Sequence, residues 1–415
     1  MNHLNSKVVL GLGAAAVVAL IAAGMVSSLR KPVSETALAE RNQAGYALPD
    51  LQGHMNDVKA ITLTTAEDKT AVRLTRTEQG WAVQEKGGYP ADTGKLRQLL
   101  RQLADANLLE QKTSSAEHYA ELGIEDVKGK DAKGVLLSLE GLGAKPARLI
   151  VGNVSAKGNG TFVRRPEEQA SWLAKGRLTV ERDPAQWLDK SLTDIEAGRI
   201  AEIILIKPDG KSLRVYKDQP GDAGFKLANV PKGREAAEAS TLGALASTLS
   251  GLNLSDVMSA QAGPAPEGNP LKLRHRTFDG LTVEAQGWVK DGKHYARFTA
   301  SLDQARAGAF IQAEQAKVKA EYEARQKEAG GDATKAPAAP LAVSDPAKDK
   351  EQRLDGLNKT VGELQRRFGG WVFVLPEFKY TNMDKSLEEL LKPVETVGKN
   401  AGKERTEGKK GTGKK

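Results

Sequence analysis

The chain of 415 residues contains no cysteine. That absence excludes disulfides, thiolate metal sites, a cysteine nucleophile and a lipid-modified amino terminus, so any hold on a membrane must come from the polypeptide itself. Histidine is scarce too. The five residues His3, His54, His118, His275 and His294 include no pair at i, i+4 and no HExxH, so no metal site is expected. No GxxxxGK[ST] phosphate loop and no GxSxG nucleophile elbow occurs, and Ser28-Leu29-Arg30-Lys31 fits SxxK without its SDN or KTG companions. No catalytic residue, cofactor-binding residue or metal ligand is therefore assigned. The chain reads as non-enzymatic, with no cofactor.

Positive charge is plentiful but localised. Of the net charge of +8, residues 398–415 supply seven Lys/Arg against two Glu, in a glycine-rich tail with no large apolar side chain. Such a segment cannot bury a core and is expected to be disordered over 392–415. It is a solvated terminus or an electrostatic contact for anionic lipid or an acidic partner. No aromatic residue is interleaved with its lysines, so nucleic acid is not an expected ligand.

The longest apolar run is Val8–Val26, 19 residues without charge or proline, bounded by Lys7 and by Arg30-Lys31. As a helix it would span about 28 Å, close to a hydrocarbon core of roughly 30 Å. Cleavage after Ala37-Leu38-Ala39 is the competing reading, but that site lies well beyond the run with two basic residues between. Residues 1–30 are read as a single-pass anchor meeting membrane lipid through 8–26, with 31–55 as linker. A short amino-terminal lead stays behind easily, so the bulk of the chain is expected outside a bacterial inner membrane, in the periplasm.

Beyond the linker the sequence reads as one unit written twice, at 56–195 and 199–391. In the first copy Val58, Ile61 and Leu63 lead to Val72 and Leu74 and then to Gly80-Trp81-Ala82-Val83. In the second, Ile200, Ile203 and Leu205 lead through Pro208-Asp209-Gly210 to Leu213 and Val215 and then to Gly224-Phe225-Lys226-Leu227. Leu96, Leu99 and Leu103 recur at the same spacing as Leu242, Leu245 and Leu249, and Trp172-Leu173 is matched by Trp371-Val372.

Alternation predicts a strand at Lys59–Thr64, the dense apolar run Ile203–Ile206 predicts a buried one, and the turn residues Pro208-Asp209-Gly210 predict a hairpin into Leu213–Tyr216. Asp92 or Thr93 can cap a helix over Lys95–Leu109, whose leucines at 96, 99, 100 and 103 form one stripe. Val135–Leu139, Leu149–Val151 and Thr161–Arg164 return as strands, their places taken in copy two by Leu281–Trp288 and His294–Ala300. Each copy is then an antiparallel sheet with a helix across one face, an α+β module. The five tryptophans Trp81, Trp172, Trp187, Trp288 and Trp371 are read as core packing.

A charged insert at 303–368 interrupts the second copy. Its first part, to Ala329, is made of good helix formers, and Gly330-Gly331 with prolines at 337, 340 and 346 must break it. Leu354, Leu357, Val361, Leu364 and Phe368 then follow an a/d seam over two heptads. Two readings remain open: a hairpin folding back on its own domain, or an arm that docks a partner helix through Leu354, Leu357, Val361 and Leu364. Replacing 303–368 with a short Gly/Ser linker is expected to leave both domains folded; loss of folding would place the leucines in the protein's own core.

The Gly80-Trp81 strand, Gly88-Tyr89-Pro90-Ala91-Asp92 before a leucine helix, Leu149-Ile150-Val151-Gly152 and Trp187-Leu188-Asp189 resemble the bacterial domain-of-unknown-function 4340 family over most of 56–391. That resemblance implies one amino-terminal membrane helix and association with an ABC transporter ATPase, its permease and a gliding-motility-like auxiliary subunit. It supplies no catalytic residues. The expected role is a non-enzymatic, membrane-anchored accessory or scaffold subunit of an ABC-type export or motility-like system. The alternative is an envelope hydrolase or glycan-binding protein with an unrecognised site.

Overall fold

The computed structural model describes residues 45–328 and 338–393; the anchor call Val8–Val26, most of the linker and the basic tail lie outside them. Among the described residues no helix is long and apolar enough to cross a membrane. The chain is a mixed α and β structure that divides into two compact units, Met1–Asp189 and Lys190–Lys415. Seven α-helices occur among the described residues, and every strand pairing is antiparallel.

In the first unit the elements run β1 (Ala60–Thr65), β2 (Lys69–Thr77), β3 (Gly80–Val83), β4 (Tyr89–Pro90), α1 (Thr93–Ala104), β5 (Leu108–Gln111), α2 (Tyr119–Leu122), β6 (Val135–Glu140), β7 (Ala147–Val154), β8 (Gly160–Arg164) and β9 (Ser171–Lys175). They build one nine-stranded sheet of order β4-β3-β2-β1-β6-β7-β8-β9-β5. Because β4 and β5 lie at opposite edges, the connection between them must cross the sheet, and α1 occupies it. Leu96, Leu99, Leu100 and Leu103 are buried along one stripe, as their spacing demands. The Asp92 carboxylate starts the helix by accepting from the Lys95 amide at 2.9 Å. The helix stops at Ala104 rather than Leu109. Leu108 and Leu109 continue the apolar pattern but belong to β5, which pairs with β9, so sheet closure overrides helix propensity there.

The second unit runs β10 (Ser191–Thr193), β11 (Ile200–Ile206), β12 (Ser212–Tyr216), β13 (Lys226–Leu227), α3 (Ala239–Ala246), β14 (Leu252–Asn253), β15 (Asp256–Ser259), β16 (Leu271–Thr277), β17 (Leu281–Lys290), β18 (Lys293–Leu302), α4 (Gln304–Glu328), α5 (Leu341–Ser344), α6 (Pro346–Phe368), β19 (Trp371–Leu375) and α7 (Glu377–Met383). Its main sheet has the order β13-β12-β11-β16-β17-β18-β19-β15. Strand for strand this is the order of the first sheet without its β4 edge. Here too the helix carries the chain from one edge, β13, to the other, β15. Leu99 and Leu245 are both buried on these helices, and Trp172 and Trp371 are both half-buried on the strand next to the closing edge. Ser191–Thr193, read from sequence as the end of the first copy, instead pairs with β14 inside the second unit. Strand β16, unassigned from sequence, is the counterpart of β6, which moves β17 and β18 to the places of β7 and β8.

The units differ most where β9 and β19 are entered. Six residues, 165–170, join β8 to β9, whereas the charged helices fill the same connection between β18 and β19. The insert is pinned at both ends. Asp303 donates its amide to Gly280 O at 2.9 Å, and a Cβ on Gly280, which has φ +88°, would lie 2.6 Å from Asp303 O, so the turn before β17 must stay bare. At the return, Gln365 Nε2 donates to Ala300 O at 2.9 Å, and the Phe368 ring, 3% exposed, meets Phe298 with centroids 5.3 Å apart. Pro346 restarts the helix in its first turn, where its missing N–H costs nothing, and Asp345 caps it through the Lys348 amide at 3.0 Å. The helical pair therefore folds back on its own unit at its base. Full excision of 303–368 would remove Phe368, Val361, Leu364, Ala307 and Ile311 from the core, so the removable part is the outer portion beyond Ile311 and before Val361.

Candidate functional site

Of the seam proposed for docking, Val361 and Leu364 are each 8% exposed and buried in their own unit, while Leu354 and Leu357 are half-buried. Between α4 and α6 the contacts are partly polar: Gln315 Nε2 donates at 2.8 Å to Asp349 Oδ2 and to Pro346 O, and Arg353 Nε lies 3.0 Å from the same carboxylate. A partner helix would find only the outer half of the stripe, around Leu354 and Leu357.

His275 is the polar exception in the core of the second unit. Strand β16 alternates strictly, burying Leu271, Leu273, His275 and Thr277 and turning Lys272 and Arg274 outward. Period-two reading of Leu-Lys-Leu-Arg-His would have placed His275 inside; only the omission of that strand hid it. The Thr248 hydroxyl donates to Leu245 O at 2.7 Å, so the imidazole Nε2–H points at Thr248 Oγ1, 2.8 Å away, and Leu245 O, 3.1 Å away. Nδ1 is buried with no partner among the described residues. Burial holds the imidazole down to about 4, with the Leu245 carbonyl opposing weakly. It is a neutral cross-link between sheet and helix.

A basic concavity lies on the first unit. A cleft of about 670 Å³ lies between the outer face of α1 and the end of β9, lined by Arg97, Arg101, Lys175 and Arg177 with the single carboxylate Asp105. All four cations are exposed, and none is in an ion pair among the described residues. A second cleft of about 610 Å³ shares Arg97 and Arg101 and adds Arg76, Met55, Leu100 and the half-buried Trp81. Not all the tryptophans are core: Trp187 and Trp288 are buried, but Trp81, Trp172 and Trp371 are half-buried. Arg97 and Arg101 stand one turn apart on the helix, which sequence shows, but Lys175 and Arg177 join them only through the pairing of β5 with β9. No group of three or more His, Asp or Glu that could hold a metal ion occurs among the described residues.

No curated protein matches the chain. No solved structure matches it either. The model of the family described as domain of unknown function (DUF4340) matches residues 81–274, from β3 of the first unit to β16 of the second, a stretch that crosses the boundary at Asp189 and excludes the insert. Over residues 81–274 the chain thus carries the DUF4340 domain of unknown function.

Proposed function

We propose that this chain is a tandem duplication of one antiparallel sheet-plus-helix module, held at a bacterial inner membrane by residues 8–26, that serves as a non-enzymatic accessory or scaffold subunit of an ABC-type transporter. The observation that carries the reading is the DUF4340 match over 81–274, because the resemblance to that family implies a membrane helix and a transporter setting. Further support comes from the shared strand order of the two units and from the apolar run Val8–Val26. The helical insert and the outer leucines Leu354 and Leu357 are the surface on which a permease or auxiliary subunit would dock. The test is affinity purification of the full chain from solubilised native membranes. Co-recovery of an ATPase and a multi-span permease is the expected outcome; a lone protein that hydrolyses an envelope polymer would favour the enzyme reading instead.

A further inference from the structure

The two clefts on the first unit have a charge that the fold does not require. On the proposed pairing of the units, the spacing that carries Leu96, Leu99 and Leu103 onto Leu242, Leu245 and Leu249 carries Arg97 and Arg101 onto Gly243 and Ser247. The pairing of Trp172 with Trp371 likewise carries Lys175 and Arg177 onto Val374 and Pro376. All four cations of the cleft thus have uncharged counterparts in a unit with the same strand order, so neither the sheet nor its crossing helix needs them. Packing four unpaired cations around one concavity raises their mutual repulsion, and a concave wall focuses their field outward. The Asp105 carboxylate offsets only part of this. Arg97 and Arg101 also face the second cleft, where the Trp81 ring and Met55 offer apolar surface beside the charge.

We propose that this pair of clefts is a binding site for a phosphate ester, the anion held by Arg97, Arg101, Lys175 and Arg177 and its organic part laid against Trp81. Guanidinium forks suit phosphate oxygens geometrically, and two of them one helical turn apart can reach the same group. Two sources would present this chemistry, the headgroup of an anionic lipid or a free phosphorylated solute. The chain itself enters the unit at the rim of the site: Ala47 N donates to Ala106 O at 2.8 Å and Leu108 N to Gly45 O at 2.9 Å, on either side of the cleft residue Asn107.

The site does not depend on the transporter reading, and its failure would leave the pairing of the units untouched. Full-length protein in a neutral detergent would be titrated calorimetrically with three probes: glycerol 1-phosphate, dihexanoylphosphatidylglycerol and the zwitterionic dihexanoylphosphatidylcholine. Saturable binding of either anionic probe, weakened at least about tenfold in Arg97→Gln/Arg101→Gln, is the expected result. Glycerol 1-phosphate binding as tightly as the lipid identifies a solute site; preference for the anionic lipid, lost again in Trp81→Ala, identifies a headgroup site. Phosphatidylcholine binding as well as phosphatidylglycerol, an unaltered affinity in the arginine variant, or no binding of either anionic probe would each overturn the proposal. Lys175→Gln/Arg177→Gln provides a second variant on a different element should the first lower the melting temperature.

Discussion

The two units share a strand order and differ in what hangs on it. In both, a helix crosses from one sheet edge to the other and buries leucines at matching positions, Leu99 and Leu245 among them. The first unit joins its last two ladder strands by six residues and presents arginines on its helix; the second interposes two long helices and presents glycine and serine. Positions that face the sheet are constrained by volume and are therefore similar. Positions that face solvent are under no such constraint, and there the two units differ. On the proposed duplication, the lesson is that fold and function separate within one chain: what one unit has and the other lacks is what the shared strand order can do without.

The comparison breaks most readily in the insert. Phe368 has no counterpart in the first unit, yet it packs on Phe298, which in turn lies 6.0 Å from Phe373. Phe368→Ala should cost the second unit about 3–5 kcal/mol and leave the first unit unaffected, as read by unit-resolved hydrogen exchange. A Gly/Ser linker replacing only residues 312–360 should leave the exchange of the main sheet unchanged, because Ile311 and Val361 stay in place.

Truncating the paired leucines sharpens the equivalence. Leu99→Ala and Leu245→Ala should each cost about 2–5 kcal/mol, each confined to its own unit, since both side chains are at most 3% exposed. A negligible cost for one beside a full cost for the other, measured by denaturant unfolding, would mean that the helices do not share a role.

His275 should separate the units by pH. Its folded-state value near 4 lies below the ordinary 6.5, so between these the unfolded chain binds a proton that the folded chain refuses. Stability of the second unit is then fully present above about pH 6.5 and falls as pH drops towards 4, by up to roughly 3 kcal/mol. Thermal unfolding across that window should show the slope in the native chain and a flatter profile in His275→Gln, whose amide can still donate to Thr248. The first unit has no buried histidine among its described residues and should not share this slope.

The smallest effect is at the helix starts. Asp92 caps α1 through the Lys95 amide, whereas Glu238, at the same place before α3, makes no side-chain cap. Asp92→Ala should cost the first unit about 1 kcal/mol, and Glu238→Ala should change the second little. Unfolding midpoints in urea would resolve the difference.

Much of this architecture was legible in the residues, and the misses have physical causes. Alternation marks β1, a dense apolar run marks β11, turn residues mark the hairpin into β12, and the leucine spacing marks both crossing helices, because these signals are local. The start of the strand Leu108–Gln111 reads as helix as far as Leu109, since its leucines extend the helical stripe and only its distant partner β9 says otherwise. The sequence leaves the fold-back of α6 open, since a stripe of apolar residues names a buried face without naming what buries it. The basic cleft was invisible for the same reason: Arg97 and Arg101 alone look like a solvated helix face, and Lys175 and Arg177 lie far along the chain. The basic tail rests on composition and the anchor on one uncharged apolar run, and both lie outside the described residues.

The most direct test of the proposed duplication exploits the missing cysteine. Gln111 pairs with Trp172 across β5 and β9, and Ser259 pairs with Trp371 across β15 and β19, the equivalent rung in each unit. Paired antiparallel residues lie about 4.5–5.5 Å apart at Cα, within disulfide range, and no native thiol competes. Gln111→Cys/Trp172→Cys and Ser259→Cys/Trp371→Cys would be made separately in the full chain, oxidised mildly and read by electrophoretic mobility with and without reductant. The account predicts that both pairs close to a similar extent, whereas closure of one with no closure of the other would contradict the equivalence of the two units.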